Sequence, residues 1–194
     1  MGLPIMDSLD LLRKSLSNAP VIWKGDYPYF IHPITDGVPR LDANVLSAVT
    51  DLSIKAIDWS TIDLILGIEA MGLPLTSPIS VRTGIPLVIA RKREYGLEGE
   101  VVIDQNTGYS KGAMYLNDIK PGEKIAIVDD VLSTGGTLKS VIEGVKKTGA
   151  QIQDILVVVE KGKGMQMLKS QYPEINIESL VKLEMDGEKI ILLD

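Results

Sequence analysis

The sequence predicts an α/β protein in which helices flank a central, mainly parallel sheet. Short apolar runs at 62–68, 84–90, 125–128 and 152–159 have the composition of strands buried on both faces. Two of these runs, 62–68 and 125–128, are followed by a loop of small residues and then by a helical pattern. Parallel strands need such crossover connections, so the order of elements favours a parallel sheet.

Size and composition limit the possible classes of protein. The 194 residues are enough for one domain with a sizeable core, so we predict a single domain over 1–194. The net charge of −6 argues against general nucleic-acid binding. No apolar run approaches the ~20 residues needed to cross a bilayer, and the N-terminus lacks the pattern of a signal peptide. We therefore expect a cytoplasmic protein without a membrane or nucleic-acid partner.

The remaining elements follow from periodicity and from turn residues. With no cysteine and one histidine, His32, a zinc site is not expected, and we predict that this histidine is structural or on the surface rather than catalytic. Residues 1–40 are predicted as a lead-in to the domain. The predicted elements are a helix over 7–17, extended pieces at 21–23 and 27–31, a loop over 32–39, a helix over 41–59, a helix ending near 81–83, a short strand at 101–103, a helix over 138–148 and a terminal hairpin of 175–183 with 189–193.

The segment 124–137 carries the chemistry that the rest of the chain supports. Its apolar strand ends at Val128 and is closed by Asp129 and Asp130. A loop of hydroxyl and glycine residues follows: Ser133, Thr134, Gly135, Gly136 and Thr137. Glycines let backbone N–H groups converge, and the next helix points its positive N-terminus at the same place. This loop is therefore predicted to bind a phosphate without a lysine.

The acidic pair must face a different part of the same ligand, because carboxylates repel a phosphate. Ribose hydroxyls, or a Mg²⁺ ion shared with a diphosphate, are suitable partners for Asp129 and Asp130. A ribose 5-phosphate has both a phosphate for the loop and hydroxyls for the acidic pair. The alternative is an ordinary strand–turn–helix whose helix is capped by Ser133 or Thr134. A Walker A motif is excluded, because no Gly-x-x-x-x-Gly-Lys-Ser/Thr string occurs.

Residues 128–137 resemble the 5-phosphoribosyl 1-diphosphate (PRPP) motif of type I phosphoribosyltransferases. The similarity extends over roughly 7–193 and is greatest to the archaeal hypoxanthine/guanine phosphoribosyltransferases, which have an adenine-phosphoribosyltransferase-like scaffold. The other segments that carry it are 34–39, 67–72, 91–97 and 107–112. The resemblance implies a type I phosphoribosyltransferase fold with a small hood, to which 1–40 contribute, and a flexible lid over 97–115.

The resemblance also implies roles for individual residues. Asp129 and Asp130 are the expected catalytic and metal-binding residues, the metal being Mg²⁺, bound directly or through water. The expected pyrophosphate and lid contacts are Glu69, Ala70, Tyr109, Ser110 and Lys111, joined by one or two of the basic residues Arg91, Lys92 and Arg93 at a strand end. The expected base contacts are Phe30, Ile34, Asp36 and Lys161.

The implied activity is purine salvage, in which hypoxanthine or guanine reacts with PRPP to give IMP or GMP and pyrophosphate, in a homodimer. Adenine, a pyrimidine, or a non-catalytic PRPP-binding regulator are the alternatives. Ser133 departs from the family patterns, since the better-known 6-oxopurine enzymes have an acidic residue there and adenine enzymes usually have alanine. Lys161 favours the 6-oxopurines, because a lysine can donate a hydrogen bond to a 6-oxo group.

Overall fold

A computed structural model describes residues 7–107 and 110–193, with the side chains of 104–107 and 110–111 excepted. Its elements in chain order are α1 Ser8–Ser17, β1 Val21–Lys24, β2 Tyr27–Phe30, α2 Pro33–Asp36, α3 Ala43–Ala56, a 3₁₀ turn Trp59–Thr61, β3 Leu64–Ile68, α4 Gly72–Thr83, β4 Leu87–Ala90, β5 Val101–Thr107, β6 Ser110–Leu116, β7 Lys124–Leu132, α5 Gly136–Thr148, β8 Gln151–Lys161, α6 Gly164–Gln171, β9 Asn176–Asp186 and β10 Lys189–Leu193.

The central sheet has six strands in the order β10-β9-β8-β7-β3-β4. Strands β4, β3, β7, β8 and β9 are parallel to their neighbours, and β10 pairs antiparallel with β9. The predicted α/β fold and terminal hairpin are therefore confirmed. Two separate two-stranded pairs, β1–β2 and β5–β6, complete the strands. We call the β1–β2 pair the hood hairpin. No helix in the described part of the chain is long and apolar enough to span a bilayer.

Strand β7 is buried on both faces, and its side chains contribute to a hydrophobic core on each side of the sheet. One core includes Ile125 and Ile127 together with Val141 of α5. The other includes Ala126 and Val128, packed with residues of α1, α3 and α4. Because alternate side chains of a strand point to opposite faces, a continuous apolar run is what a strand between two helical layers requires. The carboxyl end of β7 is thereby held at the middle of the sheet.

Several predicted boundaries are wrong, and hydrogen bonding explains each difference. Strand β7 does not end at Val128, because parallel pairing with β8 continues to Leu132. Asp129 and Asp130 therefore lie inside the strand. Strand β5 is longer than predicted, because it pairs with β6 along its whole length. The helix predicted over 41–59 begins at Ala43, since the Asp42 carboxylate accepts from the N–H groups of the first turn.

The predicted loop over 32–39 contains the one-turn helix α2, and His32 is its N-cap. The N–H of Ile34 donates to His32 Nδ1 at 3.2 Å, and Nε2 lies 2.8 Å from Ser15 Oγ. Since Nδ1 accepts, the neutral ring carries its proton on Nε2 and donates to Ser15. The imidazole is 1% exposed. His32 therefore joins α1 to α2, so of the two predicted alternatives the structural one holds and the surface one does not.

This arrangement makes folding depend on pH through His32. Burial lowers the pKa of His32 from 6.5 to about 4, although Asp36 partly opposes the shift. The unfolded chain takes up this proton below pH 6.5 and the folded chain only near pH 4. The stabilisation is therefore complete above 6.5 and is lost as the pH falls toward 4, with a total loss of about 3 kcal/mol. Denaturant unfolding of wild type and His32→Gln between pH 4 and 7 measures the difference.

NMR gives an independent check, because the sequence contains a single histidine and its imidazole signals need no assignment. We expect those signals to titrate near pH 4 in the folded protein. A midpoint near 6.5, or an identical pH dependence of unfolding in wild type and variant, would contradict this account of His32.

Candidate active site

The acidic pair lies near the carboxyl end of β7. Asp129 is 8% exposed and Asp130 is partly buried. Burial, followed by the charge of Asp130, raises the pKa of Asp129 well above its usual range. Burial also raises the pKa of Asp130, to about 6, and Asp36 adds to this shift. Asp129 and Asp130 are therefore two neighbouring carboxyl groups that burial makes harder to ionise than in water.

The loop after β7 encloses a small pocket of about 130 Å³. Its lining includes Asp129 and all five predicted loop residues: Ser133, Thr134, Gly135, Gly136 and Thr137. Gly135 has φ of 82°, a conformation that favours glycine, and it is the N-cap of α5. The predicted alternative cap at Ser133 or Thr134 is therefore wrong. Helix α5 directs the free N–H groups of its first turn into this loop, which suits a phosphate.

The loop is held in shape by α6, a contact that the sequence analysis missed. The N–H of Gly164 donates to the carbonyl of Ser133 at 2.8 Å. A Cβ atom at position 164 would lie 2.4 Å from that carbonyl oxygen and 2.8 Å from the nitrogen of Gly135. A Cβ at 135 would in turn lie 2.8 Å from Cε of Met167. Gly135 and Gly164 therefore permit the close approach of α6 to the loop. In the sequence, Gly164 was the only indication of this contact.

A second loop, between β3 and α4, lies beside the first. Its Glu69–Ala70 peptide bond is cis. The Glu69 carboxylate accepts from the backbone N–H of Lys92 at 3.1 Å and forms an ion pair with Arg91 Nε at 2.9 Å. The structure thus brings Glu69, Ala70 and the start of the basic triplet together. Arg93 differs, because its guanidinium lies over the exposed ring of Tyr95 at 5.6 Å.

Close packing brings this second loop next to β7. A Cβ at Gly72, the first residue of α4, would lie 3.4 Å from the carbonyl oxygen of Val128 and 3.2 Å from the carbonyl carbon of Gly67. Residues larger than glycine would push α4 away from the sheet. The two loops therefore follow neighbouring parallel strands at the same edge, where ligands of α/β sheets bind.

A wide cleft of about 740 Å³ lies beside the loop of residues 133–137, which we call the phosphate loop after its predicted ligand. It is lined by Ser133 and Thr134, by Lys161 at the end of β8, and by the hood hairpin. Residues that the sequence analysis did not single out complete the lining: Tyr27, Pro28, Gly162, Lys163, Gly164, Met167, Glu184 and Met185. Their residue types are ordinary for loops and strand ends, so only the folded arrangement reveals them.

The four predicted base contacts are only partly brought together. Lys161 Nζ lies 5.3 Å from the centre of the Phe30 ring, so these two are neighbours. Ile34 is fully buried in the core. Asp36 is occupied locally, because it accepts from Tyr29 Oη at 2.5 Å and from the N–H of His32 at 3.0 Å. Of the four, Lys161 alone lines the wide cleft.

The predicted lid corresponds in part to the β5–β6 hairpin. Thr107 pairs with Ser110 at its tip. Tyr109 lies outside the described residues, as do the side chains of Ser110 and Lys111. Closure of this segment over a ligand therefore stays a prediction.

A family match and curated relatives all indicate a phosphoribosyltransferase. Residues 40–190 match the family described as phosphoribosyl transferase domain. The chain is 47% identical over 186 residues to a hypoxanthine/guanine phosphoribosyltransferase of Methanohalophilus mahii, covering 96% of both chains. It is also 47% identical to the enzyme of the same name from Aciduliprofundum boonei, covering 96% of this chain and all of the relative.

Solved structures of adenine phosphoribosyltransferases have the same fold. The enzyme from Thermoanaerobacter pseudethanolicus has a TM-score of 0.74 at 24% identity, covering 90% of this chain and 99% of that one. The Trypanosoma brucei enzyme, solved with AMP, pyrophosphate and ribose-5-phosphate, has a TM-score of 0.72 at 22% identity, covering 88% of this chain and 79% of that one. At these identities the likeness concerns the fold alone.

The contact between α6 and the phosphate loop gives a direct prediction. In Gly164→Ala the new methyl group cannot fit against the Ser133 carbonyl, so the loop must shift. We expect ribose 5-phosphate to bind at least tenfold more weakly in isothermal titration calorimetry. Lys169→Ala, on the exposed side of the same helix, is the matched control and should bind like wild type. Unchanged binding by a folded Gly164→Ala variant would refute the prediction.

Proposed function

The chain belongs to the phosphoribosyltransferase family, and from this premise we propose that it transfers the 5-phosphoribosyl group of PRPP to hypoxanthine or guanine in purine salvage. Pyrophosphate is the second product. The observation that carries the proposal is the 130 Å³ pocket, in which Asp129 and the hydroxyl-and-glycine loop meet at the start of α5. A sugar phosphate has hydroxyl groups that suit Asp129 and a phosphate that suits the loop.

The phosphate loop and the acidic pair hold the two ends of the phosphoribosyl group. Backbone N–H groups and hydroxyls of residues 133–137 bind the 5-phosphate, assisted by the positive end of α5. Asp129 and Asp130 bind the ribose hydroxyls, which donate readily to a carboxylate. Because Asp129 is buried, these hydrogen bonds form away from competing water. These contacts thereby fix the ribose, whose C1 atom carries the leaving diphosphate.

The chemical step is displacement at C1 by a purine nitrogen, through a transition state with positive charge on the sugar. The bond from C1 to the diphosphate oxygen breaks, and its electron pair leaves with pyrophosphate. The bond from C1 to the purine nitrogen forms, and the proton on that nitrogen is released. Asp129 and Asp130 lie beside the developing positive charge of the sugar and stabilise it. The protein therefore contributes positioning and electrostatics rather than a covalent intermediate.

The diphosphate is proposed to bind at the β3–α4 loop, with Glu69, Ala70, Arg91 and Lys92 around it. Mg²⁺, when bound, neutralises charge on the leaving diphosphate. No cluster of three or more metal-binding side chains occurs among the described residues. Two aspartates nevertheless suit this ion, because Mg²⁺ usually takes one or two carboxylates and completes its shell with substrate phosphates and water.

The base is proposed to enter the wide cleft beside Lys161. A lysine ammonium only donates hydrogen bonds, so it pairs with the 6-oxo oxygen of hypoxanthine or guanine and not with the 6-amino group of adenine. Adenine is the second candidate, and the shared fold with adenine enzymes supports it less directly than the 47% identical relatives support the 6-oxopurines.

The resemblance further supports a cytoplasmic homodimer without nucleic-acid or membrane partners. Light scattering should then give a molar mass of twice 21.1 kDa.

A panel of bases tests this proposal. With PRPP and Mg²⁺ present, hypoxanthine and guanine should each give nucleotide and pyrophosphate in equal amounts. Adenine should react at least tenfold more slowly in kcat/KM, because Lys161 offers its 6-amino group no acceptor. Turnover of adenine alone would reverse the base assignment. Binding of PRPP without turnover of any base would instead support a PRPP-binding regulator.

A further inference from the structure

The ammonium of Lys161 lies close to two aromatic rings of the hood hairpin. Its Nζ atom is 4.5 Å from the centre of the Tyr27 ring and 5.3 Å from the centre of the Phe30 ring. Both distances fall within the range of a cation–π interaction. We define Lys161, Tyr27 and Phe30 as the lysine cage. It joins the end of β8 to both ends of β2, so it also joins the sheet to the hood.

The two rings of the lysine cage are in different surroundings. Phe30 is 5% exposed and belongs to a hydrophobic core, so its position is fixed by packing. Tyr27 is 48% exposed and lines the wide cleft together with Lys161. The inner ring therefore bounds the cage on the protein side, and the outer ring holds the ammonium from the side of the cleft.

Lys161 forms no ion pair with any carboxylate that the structure describes. Among residues whose side chains the structure describes, no carboxylate lies within 4.0 Å of Lys161 Nζ, although Glu160 next to it pairs with Lys182 at 3.3 Å. A ring face attracts the charge without accepting all three N–H donors, so the ammonium stays able to donate to a ligand. A free lysine side chain would lose its conformational freedom on meeting a ligand, whereas a caged one has already lost part of it.

We propose that Tyr27 is a positioning residue that acts through Lys161: its ring holds the ammonium where it donates to the 6-oxo oxygen of the purine. This inference rests on the proposed function and adds a specificity role for the hood. The family resemblance assigned Phe30, Ile34 and Asp36 of the N-terminal segment to the base, and it did not include Tyr27. A tyrosine at this position could otherwise act by stacking directly on the base, and the two roles give different results.

The test combines Tyr27→Leu, Tyr27→Phe and Lys161→Met, measured with hypoxanthine and guanine at saturating PRPP. Tyr27→Leu should lower kcat/KM about fivefold to tenfold, whereas Tyr27→Phe should stay within twofold of wild type, because phenylalanine keeps the ring face. In the Lys161→Met background Tyr27→Leu should have no further effect, since coupled residues are not additive. Ile22→Ala, an exposed change on the same hairpin, is the matched control.

Each outcome decides between the roles. Full additivity of Tyr27→Leu and Lys161→Met would overturn the proposal and support direct stacking. An equal loss in Tyr27→Phe and Tyr27→Leu would also overturn it. NMR of the free protein gives a readout besides activity, because the ring current of residue 27 should shift the Lys161 side-chain signals in wild type and Tyr27→Phe. Tyr27→Leu should lose that part of the shift and keep only the part due to Phe30. If wild type used neither hypoxanthine nor guanine, the proposed function would fail first, and this inference with it.

Discussion

Two adjacent carboxylates inside a buried parallel strand are the constraint on which the rest of the site depends. Strand β7 has helices on both faces, so neither Asp129 nor Asp130 can turn fully to solvent. Burial raises the pKa of both groups, because it disfavours their charged forms. A ligand that supplies hydroxyl donors or positive charge would offset this cost, and we propose that the phosphoribosyl group does so.

The surrounding loops are held by close backbone contacts rather than by large side chains. Gly164 allows α6 to approach the phosphate loop, and Gly72 allows α4 to approach the end of β7. Backbone N–H groups can bind a phosphate only if the loop keeps one shape, since their directions follow from the backbone dihedrals. Under the proposed function, both helices would therefore contribute to phosphate binding without a side chain that touches the ligand.

The sequence predicted the parallel sheet and the phosphate loop, because apolar strands, small loop residues and helical periodicity are local patterns. It placed the end of β7 too early, since aspartate has a low strand propensity and the pairing with β8 that retains it is not local. The packing of Gly164 on Ser133 and of Tyr27 on Lys161 joins residues far apart in the chain. No local pattern encodes such contacts. Ile34 is buried in the core and Asp36 accepts local hydrogen bonds, and contact of either residue with the base stays a prediction.

The most direct test of the central claim is the activity of Asp129→Asn, Asp130→Asn and the double variant with PRPP, Mg²⁺ and hypoxanthine. Asparagine keeps the shape of each side chain and removes its charge, so kcat should fall by about a hundredfold or more with the fold intact. Asp154→Asn, at the other end of neighbouring strand β8, should retain wild-type activity. Full activity in the double variant would show that the acidic pair does not stabilise the transition state.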